Sequence, residues 1–269
     1  MASLTPVKGR EMRERRIPQL AIRIGVPIAV VLIWFLVSLD TDNFYFPPLV
    51  DMLDAFVDNW LSTDALSDIL PSLIRVLGGF IIAVLLGTIL GLLLGLAPKV
   101  RQAVNPAIEF IRAVPAPALI PPAILLLGFG DEMKISIIAL VCLFPILLNV
   151  VDGVIGLDPL MEETAQVYRI PGKRYIRRVL IPAVTPQVFA GMRTSLPLAL
   201  VMMVVTEMIG GTNGIGHFVL IAERSFEITD MWSGILLIGL LGFLLNVGFV
   251  SIERRVLRWH RGARGSASS

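Results

Sequence analysis

Long uncharged blocks dominate this 269-residue sequence and limit what the chain can fold into. Six blocks each supply about the 20 apolar residues that an α-helix needs to cross a bilayer. Only 16% of the residues are charged, whereas a soluble domain carries roughly 25%. The sequence therefore predicts an all-α membrane protein with six transmembrane helices, at residues 20–39, 73–97, 107–129, 135–151, 188–209 and 232–252.

Basic residues are distributed unevenly between the two sets of loops that six spans create. Of the 23 Lys and Arg residues, 19 lie near the two termini, near the link after span two, or in the loop after span four. Cytoplasmic loops carry such an excess, so both termini and the loop at residues 152–185 are predicted to be cytoplasmic. The chain then divides into a basic tail (residues 1–19), one transmembrane domain (20–256) and a second basic tail (257–269).

The first apolar block is expected to be retained as a span. It follows a basic segment, as in a signal peptide, but no small-x-small cleavage site comes after it. Aromatic residues are not interleaved with the basic runs, so the sequence does not predict nucleic-acid binding.

The first external segment, residues 40–71, contains seven Asp and neither Lys nor Arg. Apolar side chains recur in it at helical spacing and predict a short amphipathic helix. These side chains are Val50, Leu53, Phe56, Val57 and Trp60. The helix either lies in the outer interface or covers the bundle as a surface helix.

Glycine and proline mark two of the spans. In span two, Gly87, Gly91 and Gly95 fall on one face, which predicts the close approach of another helix. Span three opens with four prolines within residues 115–122, and these exclude a regular helix there. Such a segment either borders a central path or is a kinked packing helix.

The loop at residues 152–185 is too long for a simple connection between neighbouring helices. Asp158-Pro159 is a favourable helix start and predicts a first short helix over residues 160–166. Pro171-Gly172 then interrupts the chain.

A second helical stretch with a basic face is predicted over residues 173–181, closed by Pro182 and Pro186. The two short helices would meet at an angle and either lie on anionic lipid or insert into a partner. The break between them favours a partner, because lipid binding alone does not require it.

Residues 163–182 resemble the signature loop of binding-protein-dependent ATP-binding-cassette (ABC) transporter permeases. That signature reads Glu-Ala-Ala, three residues, Gly, nine residues, and Ile-x-Leu-Pro. Glu163 and Ala165 match its start, and residues 179–182 match its end conservatively.

One position departs from this signature. Arg169 stands where the signature has glycine, so we expect Pro171-Gly172 to make the break instead. Residues 114–122, 128–130 and 207–216 are similar to the permease subgroup that imports nitrate, alkanesulfonates, taurine and related small molecules.

The resemblance implies a transport subunit of the inner membrane rather than an enzyme. Two copies would pair around a central path, two cytoplasmic ATPases would bind the loops, and an extracytoplasmic binding protein would deliver a small, nitrate- or sulfonate-like anion. ATP and Mg would be held by the ATPase subunits, so no cofactor is expected in this chain. In agreement, the sequence lacks the phosphate-binding motif G-x-x-x-x-G-K-[ST].

The resemblance also implies site residues of three kinds, and no catalytic or metal-binding residue. The residues expected to couple to the ATPases are Asp158, Glu162, Glu163, Thr164, Ala165, Tyr168, Arg169, Pro171, Gly172, Arg174 and Pro182. Those expected along the translocation path are Pro115, Pro117, Pro121, Met202 and Glu207. Those expected to meet the binding protein are Asp51, Asp54, Asp58, Asn213 and His217.

Two other classes of protein are less consistent with the sequence. An intramembrane enzyme needs convergent catalytic groups, but His217 and His260 are predicted on opposite sides of the membrane. A stand-alone ion-coupled carrier usually has ionisable residues in mid-span, and most spans here have none. Arg112 and Arg193 are expected near the cytoplasmic mouth, where they either attract anions or extend to the interface.

Overall fold

The computed structural model describes residues 19–38 and 43–259, with side chains from residue 25 onward. Every regular element in those ranges is helical, as the sequence predicts. The two predicted basic tails lie largely outside the described residues. Contacts group the chain into two compact units, Met1–Met52 and Leu53–Ser269. The single domain over residues 20–256 stays a prediction.

The first unit contains α1, Gln19–Ser38, and the first residues of α2, Leu49–Trp60. The bounds of α1 agree with the first predicted span within one residue. The Ser38 hydroxyl donates to the carbonyl oxygen of Phe35 at 3.0 Å and accepts from the backbone N–H of Leu49 at 3.2 Å. These two bonds tie the start of α2 to the end of α1.

The second unit is a succession of helices joined by short turns. They are α3 (Leu66–Leu96), α4 (Pro98–Ala113), α5 (Ile120–Leu127), α6 (Asp131–Ile155), α7 (Pro159–Val167), α8 (Gly172–Tyr175), α9 (Ile181–Gly210), α10 (Ile215–Arg224) and α11 (Ile228–Val256). Single 3₁₀ turns, Thr63–Ala65 and Ala116–Leu119, precede α3 and α5. A π-helical turn, Ile176–Leu180, joins α8 to α9.

Four helical stretches in the described residues are long and apolar enough to cross a membrane. They are Thr63–Leu96, Asp131–Ile155, Gly172–Gly210 and Ile228–Val256, which correspond to predicted spans two, four, five and six. Predicted span three is a bent pair of helices rather than one helix. Counting that pair as one span gives five. The sixth span, α1, and the orientation of the termini stay predictions.

Val114 and Pro115 form the bend in this pair, where Pro98–Ala113 and Ala116–Leu127 meet at 94°. Both residues have extended backbone, with ψ of 125° and 123°. For Val114 the cause is Pro115, because a proline disfavours helical geometry in the residue before it. Pro121 follows in the first turn of α5, where its missing N–H removes no helical hydrogen bond. The predicted irregularity of this run is confirmed.

Helices α3 and α6 pack with almost no space between them. A Cβ atom added at Gly91 would lie 2.6 Å from the Cβ of Val150 and 2.8 Å from the carbonyl oxygen of Leu147. The other close pairs are Gly79 with Ile138, Gly87 with Ile146, and Gly95 with Val154. Because the paired residues advance together along both helices, α3 and α6 run parallel. The close approach predicted for the glycine face is confirmed.

Helix α9 packs on α6 in the opposite direction. The Ser195 hydroxyl donates to the carbonyl oxygen of Cys142 at 2.9 Å, and the Cys142 thiol donates to the carbonyl oxygen of Ser195 at 3.4 Å. A Cβ atom added at Gly191 would lie 2.7 Å from the Cα of Ile146. Buried side chains of α3, α6 and α9 form the main hydrophobic core.

Trp60 anchors the end of α2 within the second unit. Its indole N–H donates to the Ser233 hydroxyl at 3.1 Å, and its ring meets Phe218 edge-on with centroids 4.7 Å apart. The predicted helix is confirmed. Of its apolar stripe, Trp60 is buried and Phe56 packs against the same cluster, whereas Leu53 and Val57 are exposed. This arrangement agrees with a surface helix that covers the bundle.

The connection between α6 and α9 is shorter than the predicted loop. Helix α6 continues to Ile155, and Gly172–Gly210 form one helical stretch. The expectation that Pro182 and Pro186 close the second loop helix is therefore wrong. Pro182 directly follows the widened π turn at the start of α9, and Pro186 is accommodated inside α9.

We predict that Gly91→Ala destabilises the protein by about 1–3 kcal/mol, the range for overpacking a filled interior. The added methyl must displace Val150 and the α6 backbone. Gly239→Ala in α11 is the matched control, because nothing lies within 4 Å of a Cβ atom there. Unfolding in mixed micelles measures both variants. Equal stability of the two would contradict the close α3–α6 contact.

Candidate functional site

Helix α7 begins with a side-chain cap. One carboxylate oxygen of Asp158 accepts a hydrogen bond from the backbone N–H of Leu160 at 2.9 Å, and Pro159 is in the first turn. Glu162 lies in the same turn, where the positive end of the helix dipole favours an acidic side chain. The helix start predicted at Asp158-Pro159 is confirmed.

Helix α7 ends in a Schellman turn. The N–H of Ile170 donates to the carbonyl oxygen of Ala165 at 2.9 Å, and the N–H of Arg169 donates to that of Gln166 at 3.0 Å. This hydrogen-bond pair requires a left-handed residue after the helix, usually glycine. Arg169 fills that position with φ of 50°.

The structure therefore corrects the predicted position of the break between the two loop helices, which was expected at Pro171-Gly172. Arg169 adopts the backbone conformation at the signature glycine position, although its Cβ atom makes that conformation unfavourable. Gly172 is not in the left-handed region, and Pro171 is the N-cap residue of α8. The chain turns at Arg169, and Pro171-Gly172 starts the next helix.

The surface of α7 combines exposed apolar side chains with charge. Leu160 is 64% exposed, Val167 79% and Tyr168 75%, whereas Ala165 is the buried residue of the helix. A groove of about 410 Å³ runs alongside, lined by Asp158, Leu160, Met161, Thr164, Ala165, Ile170 and Val179. Large apolar side chains exposed together on a short polar helix are typical of a protein-docking surface.

The predicted coupling residues therefore surround one helix and its turn. Asp158, Thr164 and Ala165 contribute to the groove. Asp158 and Thr164 are exposed, and so are Glu162, Glu163, Tyr168, Arg169, Pro171, Gly172 and Arg174. Pro182 is half-buried within α9 and stands apart from the turn. Their role in coupling stays a prediction.

A buried charge network joins the first half of α3 to the start of α6 and the end of α9. Arg75 is 2% exposed and Glu207 is 0% exposed, and one guanidinium nitrogen of Arg75 lies 2.8 Å from a carboxylate oxygen of Glu207. The same guanidinium donates to Asp131 at 2.7 Å. Ser72 donates its hydroxyl proton to Glu207, with contacts of 2.8 and 2.9 Å.

The corner at residues 211–216 is fixed by this network. Arg75 donates to the side-chain oxygen of Asn213 at 2.6 Å and to its carbonyl oxygen at 3.1 Å. The N–H of Gly216 donates to Glu207 at 2.9 Å. Gly214 has φ of 110°, and a Cβ atom there would lie 2.5 Å from the Glu207 carboxyl carbon. Only glycine fits both the conformation and the space.

Sequence reasoning missed Arg75. It is not among the site residues predicted from the sequence. The available signal was an arginine near the start of one apolar span and a glutamate near the end of another, since ionisable groups in spans are expected to pair. The structure brings these two together although they are 132 positions apart.

The predicted path residues do not share one environment. Pro115, Pro117 and Pro121 are exposed around the bend. Met202 and Glu207 are buried inside the second unit. Their assignment to a translocation path stays a prediction.

A cavity of about 150 Å³ lies between the bend and the middle of α6. Arg112, which the sequence places near the cytoplasmic mouth, lines it opposite Leu140 and Pro145. Arg193, the other arginine expected near that mouth, forms an ion pair with Glu253 of α11.

The predicted docking residues are also divided. Asp51, Asp54 and Asp58 are exposed on α2. Asn213 is engaged by Arg75. His217 is half-buried, and its Nδ1 atom has no hydrogen-bond partner within residues 43–259 or 19–38.

Several apolar spans, with a short exposed helix between two of them, define a multi-pass membrane protein. Residues 83–259 match the family of binding-protein-dependent transport system inner membrane components. The chain belongs to this family. The resemblance noted at residues 163–182 and the inner-membrane location are thereby confirmed.

The relatives are transport permeases. The chain is 28% identical over 219 residues to a putative aliphatic sulfonates transport permease protein of Bacillus subtilis, covering 81% of this chain and 79% of the relative. It is 26% identical over 249 residues to the taurine transport system permease protein of Escherichia coli, covering 90% of each. It is 29% identical over 188 residues to the bicarbonate transport system permease protein of Synechococcus elongatus, covering 70% and 68%.

We predict that Arg169→Gly strengthens the turn after α7. Glycine removes the penalty of a left-handed residue, roughly 1–2 kcal/mol. The amide of Ile170, which donates the Schellman bond to Ala165, should then exchange with solvent about tenfold more slowly in hydrogen-exchange measurements. Arg174→Gly, at a helical position, is the control and should give no such protection. Faster exchange at Ile170 in Arg169→Gly would contradict this turn.

Proposed function

We propose that the chain is the transmembrane permease subunit of an ABC importer. A second copy completes the substrate path, and separate ATPase subunits drive it. The observation that carries this proposal is α7 with its turn, an exposed helix between two spans in a chain whose family works in binding-protein-dependent transport.

The docking surface on α7 has the composition that a protein partner requires. Exposed apolar side chains at Leu160, Val167 and Tyr168 supply area that would be buried on association. Glu162 and Glu163 provide acidic groups in the first half of the helix. A charged rim around an apolar patch favours a specific orientation of the partner. We propose that an ATPase subunit binds α7 here.

The turn at Arg169 sets the angle between α7 and the helix that follows it. Its two backbone hydrogen bonds fix the end of α7, and the helix from Gly172 continues into α9. An ATPase movement applied to α7 would therefore reach a membrane-spanning helix through a turn of four residues, 168–171. This short connection supports a coupling role for the segment.

The opposite end of the unit supports contact with a binding protein. Asp54 and Asp58 are exposed on α2, and Asp131 is more than half exposed beside the buried network. An acidic surface of this kind favours a basic patch on a partner. We propose that an extracytoplasmic binding protein docks on this end and delivers substrate.

The proposed substrate is a small anion. The relatives are named for aliphatic sulfonates, taurine and bicarbonate. These solutes share an anionic oxygen group and a small size. We propose that this chain imports a solute of the same class.

The ATPase contact is tested by co-expressing the chain with its candidate ABC ATPase subunit and measuring how much ATPase co-purifies. Glu163→Lys reverses a charge on the proposed docking surface and should reduce recovered ATPase at least tenfold. Glu223→Lys, at an exposed position in α10, is the matched control and should leave recovery unchanged. Membrane levels of both variants establish insertion. Wild-type recovery of the ATPase with Glu163→Lys would argue against the docking role.

A further inference from the structure

The cavity beside the α4–α5 bend has one charged residue in an otherwise apolar wall. Its volume is about 150 Å³. The lining residues are Ile111, Arg112, Val114, Ala116, Leu119, Leu140, Val141, Phe144 and Pro145. A cavity of this volume admits a molecule of about the size of benzene.

The cavity lies at mid-depth along a membrane-spanning helix. Helix α6 has 25 residues, Asp131–Ile155, and the cavity contacts positions 140–145, near its centre. The bend places the end of α4 at this depth, so Arg112 lies far from either end of α6. A charge at mid-depth is costly against lipid and is normally found where it faces protein, water or a ligand.

Arg112 has no ion pair with any residue that the structure describes. The nearest acidic residue along its own helix, Glu109, does not bridge to it, whereas Arg75 and Arg193 each have a carboxylate partner. Guanidinium groups favour carboxylate, phosphate and sulfonate-like oxygens, which they bind through paired N–H donors. An unmatched guanidinium at the mouth of an apolar cavity therefore favours an anionic ligand.

The rest of the wall selects among anions. Eight apolar residues line the space, so a small inorganic ion would find no polar side chain there besides Arg112 to replace the water it loses on contact with the wall. A short hydrocarbon chain would instead gain from burial against Leu119, Leu140 and Phe144. The combination fits an organic anion with an acidic head at Arg112 and a short apolar tail.

We infer that this cavity is a substrate subsite for a short-chain organic anion such as an alkanesulfonate. The inference rests on the proposed importer function. It assigns Arg112 to the anionic head and the apolar wall to the tail.

The test measures binding of 1-butanesulfonate by titration calorimetry to the full chain, with its ATPases, in phosphatidylcholine nanodiscs. Arg112→Gln should weaken binding at least tenfold. Phe144→Trp, which fills the cavity, should weaken it similarly. Arg101→Gln, on the same helix but outside the cavity lining, should bind as the wild type does. Nitrate and 1-butanol should each bind at least tenfold more weakly than 1-butanesulfonate.

Equal affinity of Arg112→Gln and wild type, or no binding of 1-butanesulfonate by wild type, would overturn the subsite. Binding abolished by phosphatidylglycerol in the nanodisc would also overturn it, because the cavity would then hold lipid. Recovery of the ATPases with the chain is scored separately. If the ATPases fail to co-purify with the chain while binding still depends on Arg112, the importer function is refuted and the anion site is retained.

Discussion

The ion pair between Arg75 and Glu207 is the contact on which the arrangement of the helices depends. Both side chains are buried, and burial of an isolated charge would be prohibitive. Here Glu207 accepts from Arg75, Ser72 and the N–H of Gly216, so its oxygens are matched. Removing one partner from such a pair costs about 3–5 kcal/mol, because the other charge remains buried.

This network determines which elements can move together. Arg75 belongs to α3, Glu207 to α9, and Asp131 to α6, so one cluster holds the ends of three helices. The glycine face of α3 keeps α6 parallel to it along the rest of its length. The helical stretch Gly172–Gly210, made of α8, the π turn and α9, leads from the cluster to the turn that follows α7. At 1.5 Å per residue, that stretch extends roughly 50 Å.

Much of this fold could be predicted from the sequence. Apolar block length locates the long helices, and the spacing of Gly87, Gly91 and Gly95 identifies the face that receives α6. Proline placement locates the bend near Pro115. These features are local, and their physical consequences act within a few residues.

The remaining features depend on distant or conformational partners. The Arg75–Glu207 pair joins residues far apart in the chain, and nothing in the neighbourhood of either residue specifies the other. The turn at Arg169 was misplaced because arginine rarely adopts left-handed backbone, although the two Schellman bonds hold it there. The depth of Arg112 depends on the 94° bend, and the prolines indicate that a bend exists without giving its angle.

A double-mutant cycle on Arg75 and Glu207 tests the central claim most directly. The free energy of unfolding would be measured in mixed micelles for Arg75→Met, Glu207→Met and the double variant. A buried pair predicts that each single variant is strongly destabilised and that the double variant recovers about 2–3 kcal/mol relative to additivity. Additive effects within about 0.5 kcal/mol would contradict a network organised by this pair.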